Sequence, residues 1–176
     1  MKYLIVVDMQ NDFVYGALGT EEARSIVPNI ESKIRQYADG EGVFFRFTCD
    51  THFGDYLETQ EGKRLPVSHC IIGSNGWNII PELIGYSKVY GKAVNKIGFG
   101  YDDWDHEFGD GHGIESFELV GVCTDICVVS NALILKSLYP EIEIIVDASC
   151  CAGTTPENHR AALQVMKSCQ INIINE

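Results

Sequence analysis

The sequence predicts a three-layer α/β/α domain with a mostly parallel six-stranded sheet. Three observations support this fold class. Short apolar runs rich in β-branched and aromatic residues recur along the chain, and helical patterns separate them. Runs such as YLIVVD at residues 3–8 are almost entirely apolar, which is typical of strands buried on both faces. Alternating strands and helices favour parallel pairing, with helices covering both faces of the sheet.

The first half of the chain provides three predicted strands. The first strand covers residues 3–8, and an amphipathic helix follows at residues 24–37. The run VFFRFT at residues 43–48 is the second strand. A long irregular stretch covers residues 50–75, and YSKVY at residues 86–90 is the predicted third strand.

The second half provides the other three strands. SFELVGV at residues 116–122 is the fourth strand, and a helix follows from residue 125 to residue 138. IEIIVDA at residues 142–148 is the fifth strand. Thr155, Pro156 and Glu157 then combine a capping hydroxyl, a proline at the first helical position and an early acid, so a helix is expected to residue 168. INIIN at residues 171–175 closes the sheet.

Composition limits the class of partner. The chain has 13 Lys and Arg residues against 25 Asp and Glu residues, a net charge of −12, which disfavours nucleic acids and anionic membranes because both require clustered cations. No apolar window has the length of a membrane span, and residues 1–2 lead directly into a strand rather than a signal peptide. The seven cysteines form an odd set without a disulfide framework. We therefore expect one domain, residues 1–176, in the cytoplasm.

Reactive side chains follow the ends of several predicted strands. Asp8 ends the first strand, Asp50 and His52 follow the second, and Cys127 lies just beyond the fourth. Because ligands of such sheets bind outside the carboxyl ends of the strands, these residues are expected to share one site. No G-x-G-x-x-G follows the first strand, so a dinucleotide site is not predicted.

Cys127 is the candidate nucleophile. In VGVCTDICVV the strand breaks at Cys123 and an apolar helix follows. If Thr124 caps that helix, Cys127 lies at its third position, where free N–H groups and the helix dipole lower a thiol pKa. Asp125 opposes this effect, so a cation is expected nearby. An inert cysteine on a buried helix face is the alternative.

A second group has the chemistry of a metal site. Asp50 and His52 lie at i and i+2, on the same side of an extended chain. His69 follows after a loop that contains Glu58 and Glu61. Two histidines and a carboxylate can bind a divalent metal and leave positions open for water or substrate. Two surface histidines near an aspartate are the alternative.

Together these segments resemble the isochorismatase-like cysteine hydrolases and, within them, the nicotinamidases and pyrazinamidases. The matching motifs are VVDMQNDF, CDTH, HCIIGSNGW, NKIGFG and GVCTDICV. They occur in the family's order and cover nearly the whole chain. The resemblance implies the isochorismatase-like fold, which has Rossmann-like topology.

The resemblance also implies roles for individual residues. Asp8, Lys96 and Cys127 would form the catalytic triad, and the backbone N–H groups of Cys123 and Cys127 would form the oxyanion hole. The peptide bond between Val122 and Cys123 would be cis. Lys96 is preferred over Lys88 and Lys92 because Phe99 and Gly100 follow it at the family spacing.

The implied metal site and pocket use further residues. Asp50, His52 and His69 would bind a divalent metal, Zn²⁺ with Mn²⁺ and Fe²⁺ as alternatives, and Glu61 or Glu58 would be a fourth ligand. Phe13 would stack on the substrate ring. Leu65 stands where nicotinamidases often have an aromatic residue, so stacking would be one-sided.

The expected function is that of a metal-dependent cysteine amidohydrolase converting nicotinamide and water to nicotinate and ammonia through a Cys127 thioester, as in NAD salvage. A related enzyme for another small amide, carbamoyl or ureido compound is one alternative. Vinyl ether cleavage of the isochorismatase type is disfavoured because that subfamily does not use the cysteine. A catalytically silent binding protein is the alternative from another class. A homo-oligomer is expected from family habit and from the apolar helix that carries Cys127.

Overall fold

The computed structural model describes the backbone of all 176 residues and the side chains of residues 1–87 and 93–176. Its strands are β1 (Lys2–Val7), β2 (Val43–Asp50), β3 (Gly91–Lys96), β4 (Ser116–Val122), β5 (Glu143–Ala152) and β6 (Asn172–Ile174). They form one sheet in the order β3-β2-β1-β4-β5-β6, and every neighbouring pair is parallel. The predicted fold class is confirmed.

Helices cover both faces of the sheet. They are α1 (Asn11–Val14), α2 (Glu21–Ser25), α3 (Val27–Ala38), α4 (Gln60–Arg64), α5 (Pro81–Tyr90), α6 (Trp104–Phe108), α7 (Val129–Leu138) and α8 (Pro156–Ser168). Side chains of α6, α7 and α8 pack into one hydrophobic core, and those of α2, α3 and α5 into the other. Ile5 and Leu4 of β1 belong to opposite cores, which explains the continuous apolar run in this strand.

The predicted third strand at residues 86–90 is wrong. These residues form the end of α5, and the third strand is the following segment, β3. β3 lies at the edge of the sheet, where it pairs with β2 alone among the named strands. Its sequence, GKAVNK, is largely polar, so the hydrophobic pattern of a buried strand is absent. The β propensity of YSKVY is overridden by tertiary packing, because α5 packs against α3 and β2.

Other boundaries shift by smaller amounts. β2 extends to Asp50 and β5 to Ala152, beyond the apolar residues that predicted them. The helix predicted at residues 24–37 is two helices, α2 and α3. α8 begins and ends as predicted, and the backbone N–H of Asn158 donates to Thr155 Oγ1 at 3.1 Å, as a capping residue requires. Among the described residues, no helix combines the length and the apolarity that crossing a bilayer requires.

Candidate active site

The carboxyl ends of β1, β2 and β3 place three charged side chains at one rim of the sheet. Asp8 follows β1 directly, in a left-handed conformation with φ of 49° that ends the strand. Asp50 and Lys96 are the last residues of β2 and β3 and lie opposite each other in the strand register. Thr48 Oγ1 donates a hydrogen bond to Asp8 Oδ1 at 2.7 Å. Parallel pairing therefore brings together side chains that are far apart in sequence.

Cys127 lies against this rim. Lys96 Nζ is 2.7 Å from Asp8 Oδ2, 3.2 Å from Asp50 Oδ1 and 3.6 Å from Cys127 Sγ. The Asp8 carboxyl and the Cys127 thiol thus both lie next to the same ammonium. Asp8, Lys96 and Cys127 are all buried, with exposed fractions of 0%, 2% and 5%. The side chains of Lys88 and Lys92, the two alternative lysines, lie outside the described residues.

Burial and the charges within this group together set its ionisation. It raises the pKa of the Asp8 carboxyl, and the nearby Asp50 carboxylate adds to the increase. Burial, followed by the negative charge of Asp8, raises the pKa of the Cys127 thiol well above its usual value. Burial lowers the pKa of Lys96, but Asp8, Cys127 and Asp50 outweigh it and raise the pKa overall, so the ammonium stays charged. The expectation of a lowered thiol pKa is therefore wrong for the resting site, because burial and the negative charge of Asp8 raise that pKa.

The turn that carries Cys127 differs from a capped α-helix. Residues Thr124–Val128 form one turn of π-helix, and Cys123 precedes it in an extended conformation. The N–H groups of Ile126 and Val128 both donate to the Cys123 carbonyl at 3.1 Å. Thr124 is not the cap that the sequence predicted, since its hydroxyl is hydrogen-bonded to His159 Nδ1 at 2.8 Å instead. The peptide bond between Val122 and Cys123 is cis, as expected.

Gly121 allows the end of β4 to approach β1 next to the site. Its backbone φ is 120°, in a region that residues other than glycine rarely adopt. A Cβ atom at this position would lie 2.1 Å from the carbonyl oxygen of Val7, the residue before Asp8. The strand register between β4 and β5 also shifts here, between Leu119 and Gly121.

Asp50, His52 and His69 form a buried cluster that fits a metal ion. One ligand atom from each residue can be chosen so that all lie within 4.8 Å of one another. His52 Nε2 is 3.0 Å from Asp50 Oδ2, and His69 Nε2 is 3.6 Å from the same oxygen. Glu61 Oε1 is 3.6 Å from His52 Nε2 and 3.7 Å from His69 Nε2. The sequence offered Glu61 or Glu58 as a fourth ligand. Glu61 contacts the cluster, whereas Glu58 is exposed on the preceding turn.

Two further observations test the fit to a metal. His52 Nε2 is buried and has no hydrogen-bond partner within the described part of the chain, which is costly for a polar atom unless another ligand satisfies it. His69 Nδ1 lies 2.8 Å from the Val67 carbonyl and can donate to it, which leaves the lone pair of Nε2 directed to the cluster. Nitrogen and carboxylate ligands of this kind suit Zn²⁺ and neighbouring divalent metals.

Two buried amide side chains support the site and were missed in the sequence. Gln10 holds the backbone of Asp50, accepting from its N–H at 2.7 Å and donating to its carbonyl at 2.9 Å. Asn131 donates to the Cys127 carbonyl at 2.8 Å. For Asn131 the signal was present, since it is an amide within a largely apolar stretch, whereas Gln10 lies among polar residues. Only the fold identifies their partners.

A cavity of about 740 Å³ opens beside Cys127. Its walls include Phe13, Leu65, Phe99, Cys123 and part of the metal-like cluster. The ring centre of Phe13 is 5.4 Å from that of His69. Leu65 is 37% exposed and lines the cavity, so an aliphatic wall stands where the resemblance led us to look for an aromatic one.

Comparisons with known proteins agree with this geometry. A probable inactive nicotinamidase of Arabidopsis thaliana is 26% identical over 182 residues, covering 94% of this chain and 87% of that protein. The nicotinamidase/pyrazinamidase of Mycobacterium tuberculosis is 26% identical over 191 residues, covering 99% and 98%. The crystal structure of the Bacillus subtilis nicotinamidase/pyrazinamidase superposes with a TM-score of 0.86 at 26% identity, covering 99% of both chains.

A second solved structure bears on the metal-like cluster. The pyrazinamidase of Pyrococcus horikoshii, crystallised in complex with zinc, has a TM-score of 0.84 at 26% identity and covers 99% of both chains. The family model described as the isochorismatase domain matches residues 2–175 of this chain. The motifs, the sheet order and this match agree, and the chain belongs to the isochorismatase family.

Proposed function

We propose that this protein is a metal-dependent cysteine amidohydrolase, formed as one domain by residues 1–176, that hydrolyses nicotinamide to nicotinate and ammonia. One observation carries the proposal. The Lys96 ammonium lies between the Asp8 carboxyl and the Cys127 thiol, at 2.7 Å and 3.6 Å. Cys127 lines the same cavity as Asp50 and His69. An acid, an ammonium and a thiol in hydrogen-bond contact are the parts that nucleophilic amide hydrolysis requires.

Proton transfer is the first step. The resting thiol is neutral, because burial and the negative charge of Asp8 raise its pKa. Asp8, when ionised, accepts the thiol proton, and the Lys96 ammonium stabilises the thiolate that results. The raised pKa of Asp8 makes it a stronger base than an exposed aspartate.

The Cys127 thiolate then attacks the amide carbonyl carbon. The carbonyl oxygen gains the negative charge, and the N–H groups of Cys123 and Cys127 donate to it in this mechanism. Losing one donor of this kind typically costs about 3 kcal/mol of transition-state stabilisation. Asp8 returns its proton to the amide nitrogen, the C–N bond breaks, and ammonia leaves.

The acyl group is then a thioester on Cys127. A water molecule gives one proton to Asp8 and attacks the thioester carbonyl. The C–S bond breaks, the sulfur regains the proton from Asp8, and nicotinate leaves. The reaction consumes one water and releases one acid and one ammonia, and all protein groups return to their starting protonation states.

Asp50, His52, His69 and Glu61 would hold the metal in this proposal. A divalent cation, Zn²⁺ with Mn²⁺ and Fe²⁺ as alternatives, would supply a ligand position for the pyridine nitrogen and so orient the ring. Phe13 forms one wall for the ring and Leu65 the other. Substrate stacking is thus aromatic on one side and aliphatic on the other.

A catalytically silent binding protein is the second candidate, because one relative is described as a probable inactive nicotinamidase. The geometry of the triad favours activity instead, since the Lys96 ammonium contacts both the Asp8 carboxyl and the Cys127 thiol. A related hydrolase for another small amide, carbamoyl or ureido compound shares the same triad. Its substrates would lack the ring nitrogen that a metal binds.

Ammonia release from nicotinamide by the purified, zinc-loaded protein tests the proposal. We expect turnover that is lost in Cys127→Ala and greatly reduced after chelation. Turnover of ureido or carbamoyl compounds without nicotinamide hydrolysis would identify the related hydrolase. No turnover of any of these amides, together with slow and uniform iodoacetamide labelling of all cysteines at pH 6, would establish the silent protein and refute the proposal.

Location and assembly also remain proposals. All seven cysteines are free thiols, which supports a reducing compartment such as the cytoplasm. Leu133 and Ile134 of α7 are only partly buried within one chain, and a homo-oligomer that covers α7 would bury them further. Light scattering after size-exclusion chromatography measures the oligomeric state directly.

A further inference from the structure

The side chain of Asn131 connects the Cys127 turn to another part of the chain. It lies in α7, one turn beyond Cys127, and is fully buried. Its Nδ2 donates to the Cys127 carbonyl at 2.8 Å. Its Oδ1 accepts from the backbone N–H of Tyr101 at 2.9 Å and from Trp104 Nε1 at 3.0 Å. Both ends of one buried amide are therefore satisfied by groups from two separate segments.

The second segment is the loop at residues 97–101, which follows the catalytic lysine. Lys96 Nζ donates to the Gly98 carbonyl of this loop at 3.2 Å. Phe99, next in the chain, lines the cavity, and its carbonyl lies 3.4 Å from Asn131 Nδ2. The loop thus provides both an acceptor for the lysine and a wall for the substrate.

The loop also packs closely on α7. A Cβ atom on Gly100 would lie 2.4 Å from Ile134 Cδ1 and 3.4 Å from Ser130 Cβ. This contact is independent of the Asn131 hydrogen bonds, and it shows that little space separates the loop from the helix. A displacement of either element would therefore be transmitted to the other.

We propose that Asn131 is a positioning residue that fixes the Cys127 sulfur relative to the Lys96 ammonium. It acts through backbone groups, namely the carbonyl of Cys127 and the N–H of Tyr101, and it is not among the residues that line the cavity. The inference rests on the proposed function in one respect, that Cys127 is the nucleophile. A purely structural role, in which Asn131 only anchors Trp104, is the competing interpretation.

Two substitutions remove the hydrogen bond from Asn131 to Cys127 in different ways. Asn131→Ala removes the donor at every pH. Asn131→Asp retains an acceptor for Tyr101 and Trp104, so the fold keeps those hydrogen bonds, but an ionised carboxylate has no donor for the Cys127 carbonyl. A protonated carboxyl has an O–H that can replace the lost donor, so the defect of N131D should grow as pH rises.

Tyr139→Phe provides the matched control. The Tyr139 hydroxyl lies near the same segment as Asn131, with the Gly109 carbonyl at 3.0 Å and the Trp104 carbonyl at 3.3 Å as acceptors for its one proton. Tyr139 follows the last residue of α7, at the end of the helix away from Cys127. We expect this variant to lower the unfolding temperature without changing kcat or the reactivity of Cys127.

Two measurements are made on the zinc-loaded protein between pH 6 and pH 9.5. The first is kcat and KM for nicotinamide. The second is the rate at which iodoacetamide alkylates Cys127, followed by mass spectrometry of the Cys127 peptide. For N131A we expect kcat and the alkylation rate to fall about ten- to a hundredfold, the loss typical of a small misplacement of reacting groups, with KM within about threefold of wild type. For N131D, kcat and the alkylation rate, each divided by the wild-type value at the same pH, should fall as the pH rises.

Three results would overturn the inference. The first is kcat and alkylation at the wild-type level in N131A. The second is a kcat loss in N131A and Y139F that follows the fall in unfolding temperature equally in both. The third is a higher KM with unchanged kcat, which would assign Asn131 to the cavity wall. The alkylation assay needs no substrate and therefore separates the two claims. If the wild-type protein does not turn over nicotinamide, the proposed function fails. Slower alkylation of Cys127 in N131A than in wild type would still support the inference.

Discussion

Replacing Lys96 by methionine tests the electrostatic basis of the proposed mechanism. Methionine is similar in length and apolar, so the substitution removes the positive charge and largely keeps the volume. Lys96 Nζ lies 3.6 Å from Cys127 Sγ. At an effective dielectric constant of about 20, unit charges at this distance attract by about 4–5 kcal/mol. Because about 1.4 kcal/mol corresponds to a tenfold change in rate, the K96M variant should lose about 10³-fold in kcat for nicotinamide.

The same substitution should affect stability, which requires a control. Removing one partner of a buried ion pair typically costs about 3–5 kcal/mol, although a carboxyl that takes up a proton reduces this cost. Lys33 is also largely buried and paired with two carboxylates, those of Glu118 and Asp147, but it packs in α3 away from the cavity. Lys33→Met should therefore lower the unfolding temperature and leave kcat unchanged.

The assay is ammonia release under saturating nicotinamide, measured at a temperature where circular dichroism shows both variants folded. Metal content is measured in parallel, because Lys96 also contacts Asp50 at 3.2 Å. A kcat for K96M within about tenfold of wild type, at equal metal content, would refute the reasoning. So would an equal loss of kcat in K33M, since that would attribute the loss to the fold alone.

Three further predictions follow from the same structure. Burial raises the pKa of Asp8, which must be ionised to act as the base. As the pH is lowered, kcat/KM should therefore begin to fall at a pH above the ordinary aspartate pKa. A pH–rate profile measures this, and an acid limb near pH 4 would contradict it. Chelation, or His52→Ala, should raise KM for nicotinamide more than it lowers the Cys127 alkylation rate, because the metal site orients the ring; equal loss in both would show that the metal maintains the triad. Gly121→Ala should destabilise the fold by at least about 2 kcal/mol, since its φ of 120° and a contact of 2.1 Å leave no room for a methyl group. Gly54→Ala, with open space around it, is the control in the same denaturant titration.

The sequence by itself determined the parallel sheet and most of its strands. Residues 116–122 were predicted to the residue, because a strand buried on both faces is mostly apolar even where single polar residues interrupt it. α8 was equally clear, because Thr155 and Pro156 are local signals that do not depend on the rest of the fold. The third strand was misplaced, because an edge strand needs little apolar surface and β3 is largely polar.

The sequence also identified the residue types of the site. Asp8, Lys96 and Cys127 were selected from motif positions, and their contacts were unknown until the register of β1, β2 and β3 placed them together. The choice between Glu58 and Glu61 needed the path of the loop between Thr51 and His69, which a sequence pattern does not fix. The catalytic roles of Asp8, Lys96 and Cys127 and the ligand role of Glu61 are predictions that the variants test.

Ionisation was decided by tertiary structure alone. From the sequence, Cys127 lies near a helix start, and local physics predicts a lowered thiol pKa. In the fold, desolvation and the Asp8 charge raise it, because both depend on what other segments place around the sulfur. Local patterns follow from the chain's own neighbours, whereas burial and charge pairs depend on contacts between distant segments. For that reason the sequence gives the site's residue types, and only the folded sheet decides their protonation and the support that Gln10 and Asn131 provide.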